Sequence, residues 1–144
     1  MKSPYFDSAY LAKCYLEEPD SVKIRRFVQT AEIVYSSALC IVEVSCSLHR
    51  AVREKIITKD HASHLRLAFS GHLSAGVIQL IPVSDGILRM VETVVARLPT
   101  TIFLRAADAI HLGSAKSEGF EAIWSNDRHM LRAASNFGVV GRSV

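Results

Sequence analysis

Short strand-like segments and longer helical segments alternate along the chain, and this alternation limits the possible folds more than any other feature. Strands are predicted for about residues 3–6, 33–36, 77–82 and 121–124, with a short edge strand at 139–140. Helices are predicted for about residues 8–16, 21–31, 38–54, 58–75, 84–98, 103–118 and 127–136. Such an alternation is typical of βα units around a mostly parallel sheet. We therefore predict a three-layer α/β/α fold with a central sheet of about four to five strands.

Several residues are predicted to begin or end these helices. Ser8 is a plausible N-cap for the first helix. Gly71 and Gly76 are predicted to break or end the helix at 58–75, and Gly119 to end the helix at 103–118 in a left-handed conformation.

The length and composition suit one domain, residues 1–144. The chain is 49% hydrophobic, which is enough for a single core. Its first residues do not resemble a signal peptide, and no segment approaches ~18 uncharged apolar residues, so we expect a cytoplasmic protein without a membrane segment. Cys14, Cys40 and Cys46 show no CxxC spacing and are predicted to be small core residues rather than a disulfide framework or zinc site.

The formal net charge is +3, and the basic residues lie in two clusters. One contains Lys23, Arg25 and Arg26, and the other contains Arg50, Arg53, Lys55 and Lys59. Such clusters are compatible with a polyanionic partner, and they are equally typical of solvated helix faces.

Four carboxylates are placed where they could meet at one rim of the predicted sheet. Asp7 ends the first strand and Asp127 follows the fourth, while Glu43 and Asp108 each lie about one turn inside a helix that begins at the same rim. In open α/β sheets the binding crevice lies beyond the carboxyl ends of the strands. Asp7, Glu43 and Asp108 also lie in apolar surroundings, where an ionised carboxylate costs several kcal/mol unless a cation or hydrogen bonds compensate it.

Helical periodicity adds to the case for Asp108. Leu104, Asp108, Leu112 and Ala115 fall on one predicted stripe, which should face the interior. The carboxylate is therefore predicted to point away from bulk solvent.

A divalent cation would resolve the conflict between these charges. Two ionised carboxylates ~5 Å apart repel by ~3 kcal/mol at an effective dielectric constant of ~20. Oxygen ligands favour Mg²⁺ or Mn²⁺ over zinc, and these ions assist phosphodiester cleavage.

Each of these acids also has a structural alternative. Asp127 could simply cap the following helix, and Asn126 could equally be the functional residue. For Glu43, Ser45 and Ser47 could make the same helix face partly polar.

The residues around the acids are less specific. Ser8 and Ser125 could orient an acid or a water molecule, or could serve as caps and turn residues. Arg105 could pair with Asp108, hold a phosphate, or form a plain i,i+3 surface pair. His111 could be read as an Asp-x-x-His ligand, but a core or rim histidine is the better interpretation. Packing explains Tyr5 and Trp124 more simply than base stacking does.

Four motifs resemble those of the PIN-domain nucleases, and among these the VapC-type toxins. They are Tyr-Phe-Asp7-Ser-Ala-Tyr-Leu-Ala-Lys, Glu43 in an apolar helix, Leu-Arg105-Ala-Ala-Asp108-Ala-Ile-His-Leu and Trp-Ser-Asn126-Asp127-Arg. The resemblance covers essentially the whole chain. It implies a Mg²⁺- or Mn²⁺-dependent endoribonuclease that works as a homodimer and is inhibited by a VapB-type antitoxin.

The resemblance also assigns roles to single residues. Asp7, Glu43 and Asp108 match the three metal-binding acids of the family, and Asp127 matches its fourth, more variable acid. Ser125 stands where the family more often has threonine, a change that keeps the hydroxyl group.

We therefore expect an RNA-cleaving enzyme in which metal-activated water attacks in line and leaves a 5′-phosphate and a 3′-hydroxyl. A housekeeping RNA-processing nuclease and a catalytically silent nucleic-acid-binding module are the alternatives. An aspartyl-phosphate mechanism fits poorly, because no second acid follows Asp7 by two residues.

An inhibitory peptide is expected to fill the crevice with a basic side chain against the acids. It could also cover apolar residues of the first helices, which could instead form a homodimer seam or plain core: Tyr10, Leu11, Tyr15 and Leu16.

Overall fold

The computed structural model describes residues 3–144 and contains five strands and seven α-helices in that range. The strands are β1 (Tyr5–Phe6), β2 (Val34–Ser37), β3 (Ile78–Ile81), β4 (Ala122–Trp124) and β5 (Val140–Arg142). The helices are α1 (Ser8–Ala12), α2 (Ser21–Val28), α3 (Cys40–Arg53), α4 (Lys59–Ser74), α5 (Asp85–Ala96), α6 (Ala106–Ser117) and α7 (Arg128–Ala133), and a 3₁₀ turn (Ala134–Phe137) follows α7.

The five strands form one sheet in the order β3-β2-β1-β4-β5, and every neighbouring pair is parallel. The predicted three-layer α/β/α fold is therefore confirmed, with β5 at an edge as expected. The short β1 lies in the centre, between β2 and β4. The residues that follow it therefore lie in the middle of the carboxyl rim, the edge of the sheet where the parallel strands end.

Two hydrophobic cores cover the two faces of the sheet. Neighbouring strand residues point to opposite faces, so buried Tyr5 packs with α5, α6 and α7 while buried Phe6 packs with α1 to α4. Tyr10, Leu11 and Leu16 belong to the second core and are almost fully buried. They are therefore plain core, which is one of the alternatives predicted for these residues.

The first helix begins differently from the prediction. The N-cap is Asp7, whose side chain accepts a hydrogen bond from the backbone of Tyr10, and Ser8 is the first helical residue. The α-helix also ends at Ala12 rather than near Leu16, because the next residues continue as tighter turns.

The helix around Asp108 starts three residues later than predicted. Arg105 has an extended backbone, so the helix begins at Ala106. Its buried residues include Ala109, Leu112 and Ala115, whereas Asp108 lies half-buried at the margin of this stripe. The predicted inward-facing stripe was therefore right for Leu112 and Ala115 but too strong for Asp108.

Glycines end two helices as their conformations require. Gly76 and Gly119 have φ values of 76° and 77°, which lie in the left-handed region that residues with a Cβ adopt at a cost. Gly71 lies inside the continuous helix α4 and does not break it.

The three cysteines of the chain are free thiols, as expected, but they do not share one environment. Cys40 is buried, Cys14 is half-buried and Cys46 is exposed, so the prediction of a core residue was wrong for Cys46. Among residues 3–144, no helix is long and apolar enough to cross a membrane.

Candidate active site

Four separate chain segments bring the predicted acids to the carboxyl rim of the sheet. Asp7 directly follows β1, and Ser125 directly follows β4, the neighbouring strand in which Trp124 pairs with Phe6. Asp127 lies two residues further on as the N-cap of α7. Glu43 and Asp108 both lie in the first turn of their helices, α3 and α6.

Asp7 is the most deeply buried of the four acids, with 3% of its surface exposed. Its Oδ1 accepts a hydrogen bond from the Tyr10 backbone N–H (2.7 Å), and its Oδ2 accepts one from the Ser125 hydroxyl (2.5 Å). Burial raises the pKa of Asp7 to about 6, although these two hydrogen bonds oppose the shift. A carboxylate held ionised in such a place needs a nearby positive charge.

Ser125 connects two of the acids. Its buried hydroxyl donates to Asp7 and accepts a hydrogen bond from the backbone N–H of Asp127 (2.9 Å). The predicted orienting role for Ser125 agrees with this geometry, because the hydroxyl fixes one carboxylate and the start of the segment that carries the other.

Glu43 is held by a hydrogen-bonded group that reaches into the protein interior. Its Oε1 accepts hydrogen bonds from the Ser8 hydroxyl (2.7 Å) and from His111 Nε2 (2.8 Å). Ser8 and His111 also lie within 2.9 Å of each other, and the Tyr5 hydroxyl is 2.9 Å from His111 Nδ1. In neutral His111 the Nε2 proton therefore faces Glu43, and Nδ1 accepts the proton of Tyr5.

The pKa of Glu43 is lowered by this environment. Burial alone would raise it, but the hydrogen bond and charge of His111 and the hydrogen bond of Ser8 together outweigh burial. Glu43 is consequently held in its ionised form, the form that binds a cation.

His111 lies closer to the candidate acids than the sequence analysis predicted. It is a buried histidine, as expected, with 1% of its surface exposed, but it also contacts Glu43 directly. The sequence signal was its position one turn after Asp108 in α6. The partner, however, is an acid 68 residues away, which sequence spacing cannot reveal.

The pKa of Asp108 is affected by the charges of the other acids. Burial raises its pKa first, and the negative charges of Asp127 and Glu43 raise it further, while His111 and Arg105 oppose them. The charge of Asp108 in turn raises the pKa of Asp7. The four carboxylates are thus close enough to perturb one another.

Asp127 and Asn126 have different surroundings. Asp127 caps α7, with its Oδ1 accepting hydrogen bonds from the backbone N–H groups of His129 (2.8 Å) and Met130 (3.3 Å). Asn126 instead donates to the carboxylate of Asp20 (3.3 Å). The capping interpretation of Asp127 is therefore correct, and its negative charge also raises the pKa of Asp108.

Arg105 is exposed at the N-cap position of α6, and its guanidinium lies 5.5 Å from the centre of the Phe103 ring. Its charge lowers the pKa of Asp108, but the ion pairs of residues 3–144 include none between the two. Because Arg105 precedes the helix, the expected i,i+3 helical pair does not form.

Comparison with known proteins places this arrangement in a family. The sequence matches the family model of the PIN domain over residues 5–136. The chain belongs to the PIN domain family. No curated protein matches the sequence.

Several solved structures share the fold of this chain. One is VapBC2 from Rickettsia felis bound to a DNA fragment from its promoter, with a TM-score of 0.69, 9% identity and coverage of 98% of each chain. Another is FitAB bound to the IR36 DNA fragment, with a TM-score of 0.69, 14% identity and coverage of 96% of this chain and 93% of the other. The third is FitAcB from Neisseria gonorrhoeae, with a TM-score of 0.67, 12% identity and coverage of 95% and 94%.

PIN domains are nucleases that generally use divalent metal ions, and the donors of this chain suit such an ion. Carboxylate oxygens are the ligands that Mg²⁺ and Mn²⁺ prefer. Within residues 3–144, however, no three His, Cys, Asp or Glu side chains are already arranged as a metal site. The acids therefore fit a hard cation by their chemistry and by their mutual repulsion, which such a cation would relieve.

Proposed function

We propose that this PIN domain is a Mg²⁺- or Mn²⁺-dependent endoribonuclease and the VapC-type toxin of a toxin–antitoxin pair. The proposal rests mainly on the surroundings of Asp7. This carboxylate is buried and fixed at the centre of the rim, and the charge of Asp108 raises its pKa. A protein that only needed a helix cap at this position would be served equally well by an uncharged residue.

The acids would share the work of holding the ion. Asp7 and Asp108 would be the central ligands, and Glu43 and Asp127 would complete the set. When bound, the ion supplies positive charge to the phosphoryl oxygens and activates water for in-line attack, which leaves a 5′-phosphate and a 3′-hydroxyl.

Other residues of this chain position these ligands. Ser125 and the first turn of α1 fix both oxygens of Asp7, and Ser8 and His111 fix one oxygen of Glu43. Exposed Arg105 is placed to contact a phosphate of the RNA without being tied to Asp108.

The test is cleavage of a generic RNA with Mg²⁺ or Mn²⁺ by the wild type, Asp7→Asn and Glu43→Gln. Both variants should lose cleavage by several orders of magnitude and keep their circular dichroism spectra, because asparagine retains an oxygen that can cap α1. Asp85→Asn, which changes an exposed acid in the first turn of α5, should cleave normally. Full activity of Asp7→Asn would remove that residue from the mechanism, and an inactive wild type would favour a silent binding module.

The antitoxin half of the proposal rests on the family resemblance and on the VapBC2 and FitAB complexes that share the fold. The chain offers a mainly apolar cleft of about 450 Å³ beside α1 and α2, lined by Leu11, Tyr15, Val28, Val34 and Ile78 among others. A helix of an antitoxin could enter this cleft, which lies at the amino ends of β2 and β3, while another segment of the antitoxin sets an Arg or Lys against the acids.

We also propose a homodimer through the groove between α5 and α6. The groove is mostly apolar, and Leu88 and Val95 on its wall are 43% and 44% exposed. Light scattering of the purified chain tests this, with Leu88→Lys expected to give the monomer.

The cellular test is expression of the chain alone and with the small reading frame next to its gene. Growth arrest by the wild type, no arrest by Asp7→Asn, and rescue by a copurifying neighbour would support the toxin assignment. Harmless expression of an active nuclease would instead favour a housekeeping RNA-processing enzyme.

A further inference from the structure

One surplus of positive charge in this protein lies at the end of the hairpin formed by α3 and α4. We call residues 49–66 the hairpin tip; they contain the end of α3, the connecting turn and the start of α4. The tip carries five Lys or Arg and two Asp or Glu residues, a net charge of +3. This equals the formal charge of the whole chain, so the remaining residues are balanced.

The basic side chains of the tip face solvent and are hardly neutralised. Arg50, Arg53, Lys55 and Lys59 are all exposed. Within residues 3–144, the ion pairs that involve these four consist of a long contact between Arg53 and Glu54 at 3.9 Å. The tip therefore has four basic side chains available for another molecule.

The connecting turn adds an apolar contact surface between these charges. Lys55 has a φ of 59°, which reverses the chain tightly, and the next residue, Ile56, is 64% exposed. A shallow cleft of about 520 Å³ lies here, lined by Lys55, Ile56, Thr58, Lys59 and His61 among others. The basic groups suit a chain of phosphates, and exposed Ile56 offers an apolar contact for the sugars between them.

Helix α3 links the tip directly to the candidate active site. Glu43 lies in the first turn of α3, and Arg50 follows seven residues later on the same helix face, about 10 Å along the axis. Arg53 lies about 15 Å along the axis from Glu43. A strand bound at the carboxylate rim and leaving along α3 would therefore meet Arg50 first and the rest of the tip next.

The carboxylate rim itself cannot attract RNA over a distance. Four acids repel a polyanion until a cation is bound, so the attraction has to come from basic residues outside the rim. The hairpin tip is a basic region of this kind, and it lies on the helix that carries Glu43.

We propose that the hairpin tip holds the phosphate backbone of single-stranded RNA on one side of the cleavage site, a role that rests on the proposed ribonuclease function. The contacts are to phosphates and are therefore independent of base sequence. Each basic residue that binds a phosphate should add about 0.7 to the slope of log affinity against log salt concentration.

The experiment measures binding without cleavage, so that it does not depend on the nuclease assay. Each protein carries Asp7→Asn, and fluorescence anisotropy follows a labelled, unstructured RNA of about 20 nucleotides between about 50 and 200 mM salt. The test variant is Arg50→Gln/Arg53→Gln, and a second test variant is Lys55→Gln/Lys59→Gln.

The matched control is Arg89→Gln/Arg97→Gln, in and directly after α5, which lies against the opposite face of the sheet. Both arginine pairs are exposed, and each has one member in a long ion pair, Arg53 with Glu54 at 3.9 Å and Arg89 with Asp85 at 3.6 Å. Melting temperatures of all variants confirm that they are folded.

The proposal expects weaker binding by both test variants, with a salt slope shallower by about 1.4, and unchanged binding by the control. Equal losses in test and control variants, or no loss in either, would overturn it. Normal RNA binding combined with loss of a copurifying protein would also overturn it and assign the tip to a protein partner. RNA binding through the tip by a protein that cleaves no RNA would uphold this inference and overturn the proposed nuclease function.

Discussion

Asp7 has two roles with opposite effects on the stability of the folded protein. As an N-cap it stabilises the start of α1, and as a buried acid it destabilises the folded protein whenever it is ionised without a cation. The free energy of unfolding should therefore depend on whether Asp7 carries a proton.

In the absence of metal, stability should rise as the pH is lowered through the pKa of Asp7. Its folded pKa of about 6 lies above the unfolded value of 3.8, so the folded state binds the proton more tightly. Protonation of Asp7 contributes fully to the free energy of unfolding below the unfolded pKa, and this contribution is lost as the pH rises through about 6. The free energy of unfolding should therefore fall by about 1 kcal/mol between about pH 5 and pH 7.5. Urea unfolding in EDTA at several pH values measures it.

Asp7→Asn provides the control for this pH dependence. The variant lacks the titrating group, so its stability should change less over the same pH range. An identical pH profile for both proteins would show that Asp7 does not have a raised pKa.

His111 is expected to act by positioning Glu43 rather than by touching the substrate. It is buried between Tyr5 and Glu43, and its removal would leave the carboxylate with Ser8 as its remaining partner in the described group. Groups that orient metal ligands typically contribute a factor of about 10 to 100 in metal affinity or activity.

His111→Gln should therefore reduce cleavage about 10- to 100-fold and weaken metal binding. Ser8→Ala should cause a smaller loss, because His111 still holds Glu43. The measurement is cleavage rate against Mg²⁺ concentration. Saturating metal should recover part of the rate of His111→Gln, whereas a loss of stability without a change in metal dependence would contradict a positioning role.

At the scale of the elements, α5 and α6 depend on one glycine for their close approach. A Cβ at Gly113 would overlap Val91 Cγ2, a short branched side chain that cannot swing away. This close approach packs α6, which carries Asp108 and His111, against α5.

Gly113→Ala should lower the free energy of unfolding by about 1–3 kcal/mol, because the added methyl group overpacks the helix interface. The matched control is Gly71→Ala in α4, where nothing lies within 4 Å of an added Cβ. That change should raise stability by about 0.5–1 kcal/mol through helix propensity. Chemical denaturation of both variants distinguishes packing from propensity, and equal effects at the two sites would refute the close-packing explanation.

At the scale of the whole molecule, the fold brings together acids that the sequence separates by up to 120 residues. Asp7, Glu43, Asp108 and Asp127 come from four different segments and perturb one another through charge. A ligand that neutralises them would bind the folded chain and not the unfolded one.

Mg²⁺ or Mn²⁺ should therefore raise the melting temperature. A concentration of about 100 times Kd stabilises the folded state by about 2.7 kcal/mol. Asp108→Asn should lose most of this increase, while Asp85→Asn should retain it. Thermal denaturation with and without millimolar metal gives the comparison, and no increase in the wild type would show that the metal site is assigned wrongly.

The sequence by itself determined the alternation of strands and helices and hence the parallel α/β/α architecture. These follow from local periodicity, from caps such as Ser84 and from left-handed glycines such as Gly119, all of which act over a few residues. Asp7 and Asp127 could be placed at one rim because each follows a parallel strand, and Glu43 and Asp108 because their helices begin at the same rim.

Tertiary structure alone decided which groups share a hydrogen bond. The contact of His111 with Glu43 and that of Ser125 with Asp7 join residues 68 and 118 positions apart. It also decided that Asp108 lies at the margin of its helix stripe, because the start of α6 depends on how the preceding loop packs. Such contacts depend on how whole elements pack against each other, and a pattern with a period of two or 3.6 residues carries no information about that packing.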